Sequence, residues 1–415
     1  MDIRSKLDKV RVLGAAGTVK MAAVKWKKME RGLGMAVAPA RKMILGKILA
    51  GDYDRIIIFE NHFGYHNIMM QRPQHLLRNC GDDKTLVLYN SYYDIDFETR
   101  GRITKISNSV YVLDLYYFRR CLMELSRKIP NRYLCVYSTD TVPVRRIDQY
   151  LEEGFRVIYE YVDDINPELI SRRKIDEIMG RHKYLLEDSR VLTVTTADKL
   201  YKNAREAGAR SGLVLISNGA ECGKFSPETT TADVEYLEWL KEDLIKVGYY
   251  GALASWIDYE LLKKLADEEQ MQVILIGVEH DDSLRKSGLL GRKNVRYFGK
   301  KPYDALAGYV HYFDVCMIPF VLNEITEATS PVKLFEYMAM EKPVVSTALP
   351  ECMKYDPVVI AHSRNEFVKA VYDCWKERED QKRKEQLSRC AWENDWSAKA
   401  DVLKRHLSQW EKNER

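Results

Sequence analysis

Between Phe313 and Thr347 the chain carries an apolar strand, a polar loop, a helix and a second apolar strand, an order that few folds accept. The first strand, Phe313 to Ile318, is closed by Pro319-Phe320, and a polar stretch from Val321 to Thr329 follows. Ser330 then suits an N-cap, and Pro331 suits a first helical position whose N–H would be unpaired anyway. The pattern predicts a helix through Ala339 and a strand over Val344–Ser346. Lys333 falls at the third helical position, where a capping box wants Glu or Gln and where a cation opposes the helix dipole. An anion over the helix start would resolve that misfit, because free backbone N–H groups plus one ammonium make a phosphate cradle. Glu336 lies one turn on, on the same face, placed to accept hydrogen bonds from a ribose. The plain alternative is a solvated i,i+3 pair on an ordinary helix.

The same alternation recurs along the chain. Arg55–Glu60 reads as a strand, followed by a loop with Gly64 and a helix carrying Gln71 to Leu77, the opening unit of a doubly wound sheet. Further strands are expected at Thr85–Leu88, Val110–Leu113, Leu134–Tyr137, Val157–Tyr161, Val191–Thr195 and Leu213–Ile216. Asn218-Gly219 is a turn signal. A helix over Ala232–Ile245 then leads to a fresh strand, Val247–Gly251, and others are expected at Val273–Ile276, Val295–Phe298 and Val315–Ile318. A domain boundary therefore falls between Pro227 and Lys246.

The run from Asn294 to Pro350 resembles the nucleotide-sugar half of GT-B glycosyltransferases, the retaining family-four type (glycosyl transferases group 1). Its features are an Asp-bearing strand ending in Ile318-Pro319-Phe320, a helix with Pro331, Lys333, Glu336 and Tyr337, and then Lys342-Pro343-Val344-Val345. The Gln71–Leu76 run and the exit Asn218-Gly219 with Phe225-Ser226-Pro227 are similar to other parts of that family. The resemblance implies an α/β chain of two Rossmann-like domains with a cleft between them. It implies an acceptor-side domain at 51–227, a nucleotide-sugar domain at 228–390 and a returning C-terminal helix at 391–415, while residues 1–50 stand apart as a basic segment. The implied activity is metal-independent, retaining transfer of a hexose from a nucleotide-sugar, a UDP-sugar above others, in cell-surface polysaccharide biosynthesis. The acceptor would be the hydroxyl of a glycan or lipid-linked molecule, and no cofactor is called for. Ser330, Pro331, Val332, Lys333, Glu336 and Gly251 would hold the nucleotide, with Lys333 also meeting the charge of the departing diphosphate.

The chain also departs from the family. Relatives place an Arg and a Lys after the glycine that Gly251 matches, where this chain has Ala252 and Ile257. The first of the family's paired glutamates falls on Ala328, with Glu327 and Glu324 nearby but out of register. Glu341 stands where relatives have a helix-ending Gly. These gaps keep two rivals in play: a non-catalytic subunit of the same fold that binds glycan or a partner, and a nucleotide-sugar epimerase.

Other candidates have bland counterparts. Asp94-Ile95-Asp96 spells the metal-binding D-x-D, yet such a triplet arises by chance in an acid-rich chain, and no metal site is assigned. Asp163, after a strand that ends toward a ligand crevice, is a catalytic candidate or a helix cap. His66, in the first βα loop, stands where an acceptor hydroxyl would approach, or satisfies local backbone. Glu327 is the stand-in for the missing sugar-binding glutamate.

Charge is uneven. Residues 1–50 hold 12 Lys/Arg against 3 Asp/Glu, +9, which leaves the other 365 at −5 from a total of +4. From Val19 to Arg31, helical spacing puts Val19, Ala22, Ala23, Trp26 and Met29 on one face and Lys20, Lys27, Lys28 and Arg31 largely on the other. A second cluster, Met43, Ile44, Leu45, Ile48 and Leu49, follows Arg41-Lys42. The expected partner is an anionic membrane surface, with the protein cytoplasmic and peripheral at the inner face, rather than nucleic acid. The alternative is a helix packed on the first domain. Eight cysteines without C-x-x-C spacing fit a reducing compartment.

Overall fold

The computed structural model describes residues 39–60, 64–66, 70–92, 96, 102–139, 142–165, 172–209 and 212–413. The Val19–Arg31 segment, His62 and Asp94 lie outside the described residues. Two compact units are present, one of residues up to 67 with 80–159, the other of 68–79 with 160–415.

The first sheet has eight strands in the order β3-β4-β2-β1-β5-β6-β7-β8. They are β1 (Arg55–Phe59), β2 (Thr85–Asn90), β3 (Ile103–Lys105), β4 (Val110–Leu113), β5 (Asn131–Tyr137), β6 (Arg156–Tyr161), β7 (Val191–Thr195) and β8 (Leu213–Leu215). β1 is buried at every position and pairs in parallel with β2 and β5. Such doubly covered strands read as continuous apolar runs, which is why they show in the sequence. The short β3 pairs antiparallel with β4, half exposed, and has no such run.

The second sheet has six strands in the order β11-β10-β9-β12-β13-β14. They are β9 (Ile245–Tyr250), β10 (Met271–Ile276), β11 (Val295–Tyr297), β12 (Val315–Ile318), β13 (Val344–Thr347) and β14 (Val358–Ala361). Its strand pairs are parallel. The helix Val332–Ala339 connects β12 to β13 and buries Leu334, Phe335, Tyr337 and Met338 in the core beneath.

Several expectations need correction. The helix expected over Ala232–Ile245 is only Val234–Trp239, and Ile245 opens β9. Leu240 turns extended (φ −66, ψ 137), and Gln272 ties off the end, accepting from the Lys241 N–H at 2.9 Å and donating to Trp239 O at 3.1 Å. The polar stretch before Ser330 holds a turn of helix, Glu324–Glu327, capped by Asn323 in a capping box. The C-terminal segment is two helices, Gln381–Glu393 and Trp396–Asn413, broken where Asn394 O accepts from Ala220 N and Trp396 N donates back to Ala220 O. The expected apolar cluster is divided in the helix Pro39–Leu49. Leu45 and Leu49 are fully buried and unavailable to a membrane, while Met43 and Ile44 remain about half exposed.

Candidate functional site

The carboxyl ends of β9, β10 and β11 each run into a glycine of positive φ: Gly251 (141°), Gly277 (144°) and Gly299 (68°). Gly251 N donates to Ile276 O and Gly277 N to Gly299 O, both at 2.9 Å, so the three chain ends are laced side by side. A Cβ on Gly277 would lie 1.8 Å from Gly251 O, and one on Gly251 would lie 2.8 Å from Lys333 Cε. Bare backbone is therefore required here, and it leaves a cleft of about 220 Å³ above the strand ends. Gly251, Val332, Lys333 and Glu336 line it, together with Lys300, Lys301, Tyr303 and residues of the Arg72–Cys80 helix.

Lys333 is half-buried, with its ammonium over the rings of Tyr249 (5.3 Å) and Phe320 (5.1 Å). Burial lowers its pKa to about 8, only partly opposed by Glu336. Glu336 is 2% exposed and accepts from Tyr303 OH at 2.8 Å and from Tyr250 OH. Burial raises its carboxyl above the usual range, against the two phenols and Lys333. The two tyrosines fix the carboxylate's direction while each oxygen keeps a lone pair for a further donor.

The helix start differs by one residue from the expected one. Pro331 is the N-cap and Val332 the first helical residue, so Lys333 is second. Ser330 does not cap: its Oγ accepts from Asn218 N at 3.1 Å and its carbonyl from Asn218 Nδ2 at 2.7 Å. With no side chain on the first N–H groups, that end is open to an acceptor from a ligand.

The remaining nominated residues are not in the cleft lining. Glu327 sits on the short helix Glu324–Glu327 with Lys199 Nζ at 3.4 Å. Asp163 is exposed just past β6. His66 is exposed in the other compact unit, its backbone N–H donating to Asp96 Oδ1 at 2.8 Å. Asp96 also accepts from the Tyr65 and Tyr92 amides at 2.8 Å, which makes it a loop clamp.

The sequence gives no separate role to Lys300, Lys301, His75, Arg72 or Tyr303, which also line the cleft. Lys300 has no ion pair among the described residues, whereas Lys301 pairs with Asp233. Gly299 before them, at a strand end, was the available signal. His75 is 3% exposed, its ring stacked on Trp396 (5.3 Å, 1°) and tilted against Tyr303. Burial, with Lys224 and Arg78, lowers its pKa to about 4, so the imidazole is neutral at pH 7. Arg72, three residues before it, is held by Glu160 (2.7 Å) and Ser217 O (3.1 Å).

Residues 247–377 match the family described as Glycosyl transferases group 1, so the chain carries a domain of that family there. Over 211 residues it is 25% identical to a putative teichuronic acid biosynthesis glycosyltransferase, TuaH, of Bacillus subtilis. That match covers 49% of this chain and 53% of the relative, about half the length of each. Among solved structures, sucrose-phosphate synthase of Thermosynechococcus elongatus superposes with a TM-score of 0.60 at 15% identity, over 86% of this chain and 98% of that one. Anabaena HepE, solved with UDP and glucose, gives 0.58 at 15% identity over 86% and 99%. Trehalose 6-phosphate synthase of Burkholderia multivorans gives 0.63 at 11% identity over 87% and 100%. These likenesses show the fold, GT-B with two Rossmann-like domains.

Proposed function

We propose that this chain is a glycosyltransferase that moves a sugar from a UDP-sugar to a hydroxyl of a glycan or lipid-linked acceptor in cell-surface polysaccharide synthesis. The observation that carries this reading is the meeting of Gly251, Lys333 and Glu336 in one glycine-walled cleft within the matched domain. HepE's complexes with UDP and UDP-glucose and TuaH's teichuronic acid assignment support the donor and the setting. The domain limits we favour are 51–227 for the acceptor side and 228–390 for the donor side.

Breaking the glycosidic bond leaves negative charge on the departing diphosphate. Lys333, Lys300 and the amides at the start of the Val332–Ala339 helix meet that charge without a metal. Glu336, aimed by its tyrosines, takes the ribose hydroxyls. Ser330 and Pro331 set the helix start rather than touch the nucleotide. Asp163 and His66, exposed near the carboxyl ends of β6 and β1, are the candidates to meet an acceptor hydroxyl, and Glu327 the candidate for the transferred sugar. We carry over retention of anomeric configuration from the resembling family. Among the described residues no helix is long and apolar enough to cross a membrane. The basic N-terminal segment would dock the enzyme on an anionic surface, with Met43 and Ile44 adding apolar contact.

Ala252, Ile257 and Ala328, where the resembling family has Arg, Lys and Glu, favour a second reading, a non-catalytic subunit. Release of UDP from a panel of UDP-sugars, with EDTA and with or without acceptor extracts, separates the two. Turnover is expected, and Lys333→Ala should lower it roughly 10²- to 10³-fold without lowering the melting temperature. No turnover with any donor would leave the non-catalytic reading standing.

A further inference from the structure

In an open parallel sheet, ligands bind outside the carboxyl ends of the strands where the strand order reverses. In the second sheet that point lies between β9 and β12, beside Gly251 and the Lys333 helix. In the first sheet it lies between β1 and β5, and the residue that follows β1 is Glu60. Glu60 is 2% exposed and holds two arginines on one oxygen. Arg119 Nη2, from the helix Leu115–Leu125, and Arg146 Nη1, from the helix Val144–Glu152, each lie 2.7 Å from Oε1. Tyr150 OH donates to the other oxygen at 3.0 Å.

One carboxylate cannot neutralise two guanidiniums. The cluster keeps an excess positive charge, and bringing two like charges to one acceptor costs free energy unless a second anion joins them. Both arginines remain partly open, with side chains 23% and 38% exposed. Arg119 Nε is buried with no hydrogen-bond partner among the described residues.

We propose that Arg119 and Arg146, anchored on Glu60, form an oxyanion seat that takes the phosphate or carboxylate group of the acceptor. The planar fork of each guanidinium suits either group in a bidentate pair. Glu60 sets the orientation before binding, so little order is lost when the anion arrives. Only the identity of the ligand as acceptor rests on the proposed function; the seat itself rests on the geometry of the first sheet.

Calorimetric titration of the full chain with inorganic phosphate and, separately, with glucuronate tests it. Saturable binding of one or both is expected, and which one binds tells a phosphate-bearing acceptor from a uronic acid. Arg146→Gln, the more exposed of the pair, should weaken that binding roughly ten- to a hundredfold without lowering the melting temperature. The same comparison made with UDP held at saturation, so that the cleft beside Lys333 is filled, should show the same loss in Arg146→Gln. Binding of neither anion, or equal binding by the wild-type chain and Arg146→Gln, would overturn the seat. If UDP fails to bind the wild-type chain, the donor reading fails and the Arg146 comparison still decides the seat.

Discussion

Lys333 is poised close to its own titration. Burial lowers its pKa from 10.5 to about 8, so near neutrality it is charged, and well above pH 8 it is not. In the proposed role only the charged form binds a diphosphate, so UDP affinity should weaken about tenfold per pH unit as pH rises past about 8. Arg stays protonated throughout, so Lys333→Arg should flatten the profile even where its different shape lowers affinity. Titrations with UDP from about pH 7 to about pH 10 read this directly, and a flat wild-type profile would remove Lys333 from the diphosphate. Stability should move the other way. The unfolded chain keeps this proton up to about pH 10.5, so the lowered native pKa makes Lys333 destabilising below about 8, a cost relieved as pH rises through that window.

At the scale of elements, the Val332–Ala339 helix ends in a Schellman motif. Glu341 N donates to Met338 O at 2.9 Å and Lys342 N to Tyr337 O at 3.1 Å, with Glu341 at φ 57°. The sequence already marked Glu341 as a departure, and the strain it implies is present. Glu341→Gly should raise stability by a few tenths to about 1 kcal/mol, the relief of the left-handed Cβ less glycine's larger unfolded entropy. Urea denaturation measures it, and a lower midpoint would show that the Glu341 side chain contributes more than its backbone costs. The strands are mostly legible: among the described residues twelve of the fourteen follow from apolar runs, with ends shifted by a few residues. The two not among them, Ile103–Lys105 and Val358–Ala361, are short strands at sheet edges, the first with no buried residue and the second buried only at its two ends. An edge strand needs fewer apolar residues, so its periodicity fades.

For the whole molecule, the unequal charge makes a prediction about place. Residues 1–50 carry +9 while the rest carries −5, and each basic residue near anionic lipid contributes about 1 kcal/mol. The full chain should co-sediment with phosphatidylglycerol vesicles at low salt and be released as salt rises, whereas a chain beginning at Gly51 should stay in solution. Equal behaviour of the two chains would end the membrane reading. The pair Lys42–Glu124 at 3.3 Å and the buried Leu45 and Leu49 anchor the helix Pro39–Leu49 by one face, leaving Met43 and Ile44 outward.

What the sequence determined by itself was the alternation of buried strands and helices, and the helix carrying Lys333 and Glu336, because both are written in neighbouring residues. Apolar runs, a proline and a turn glycine act over a few positions, and local physics reads them. What only the tertiary structure decided was the company those residues keep. Ser330 Oγ accepts from the N–H of Asn218, 112 positions earlier, and the helix start moves by one residue. Glu336 is aimed by Tyr250 and Tyr303, and Glu60 gathers Arg119 and Arg146 from two separate helices. A buried carboxylate needs partners wherever the chain brings them, and that requirement leaves no periodic trace in the sequence.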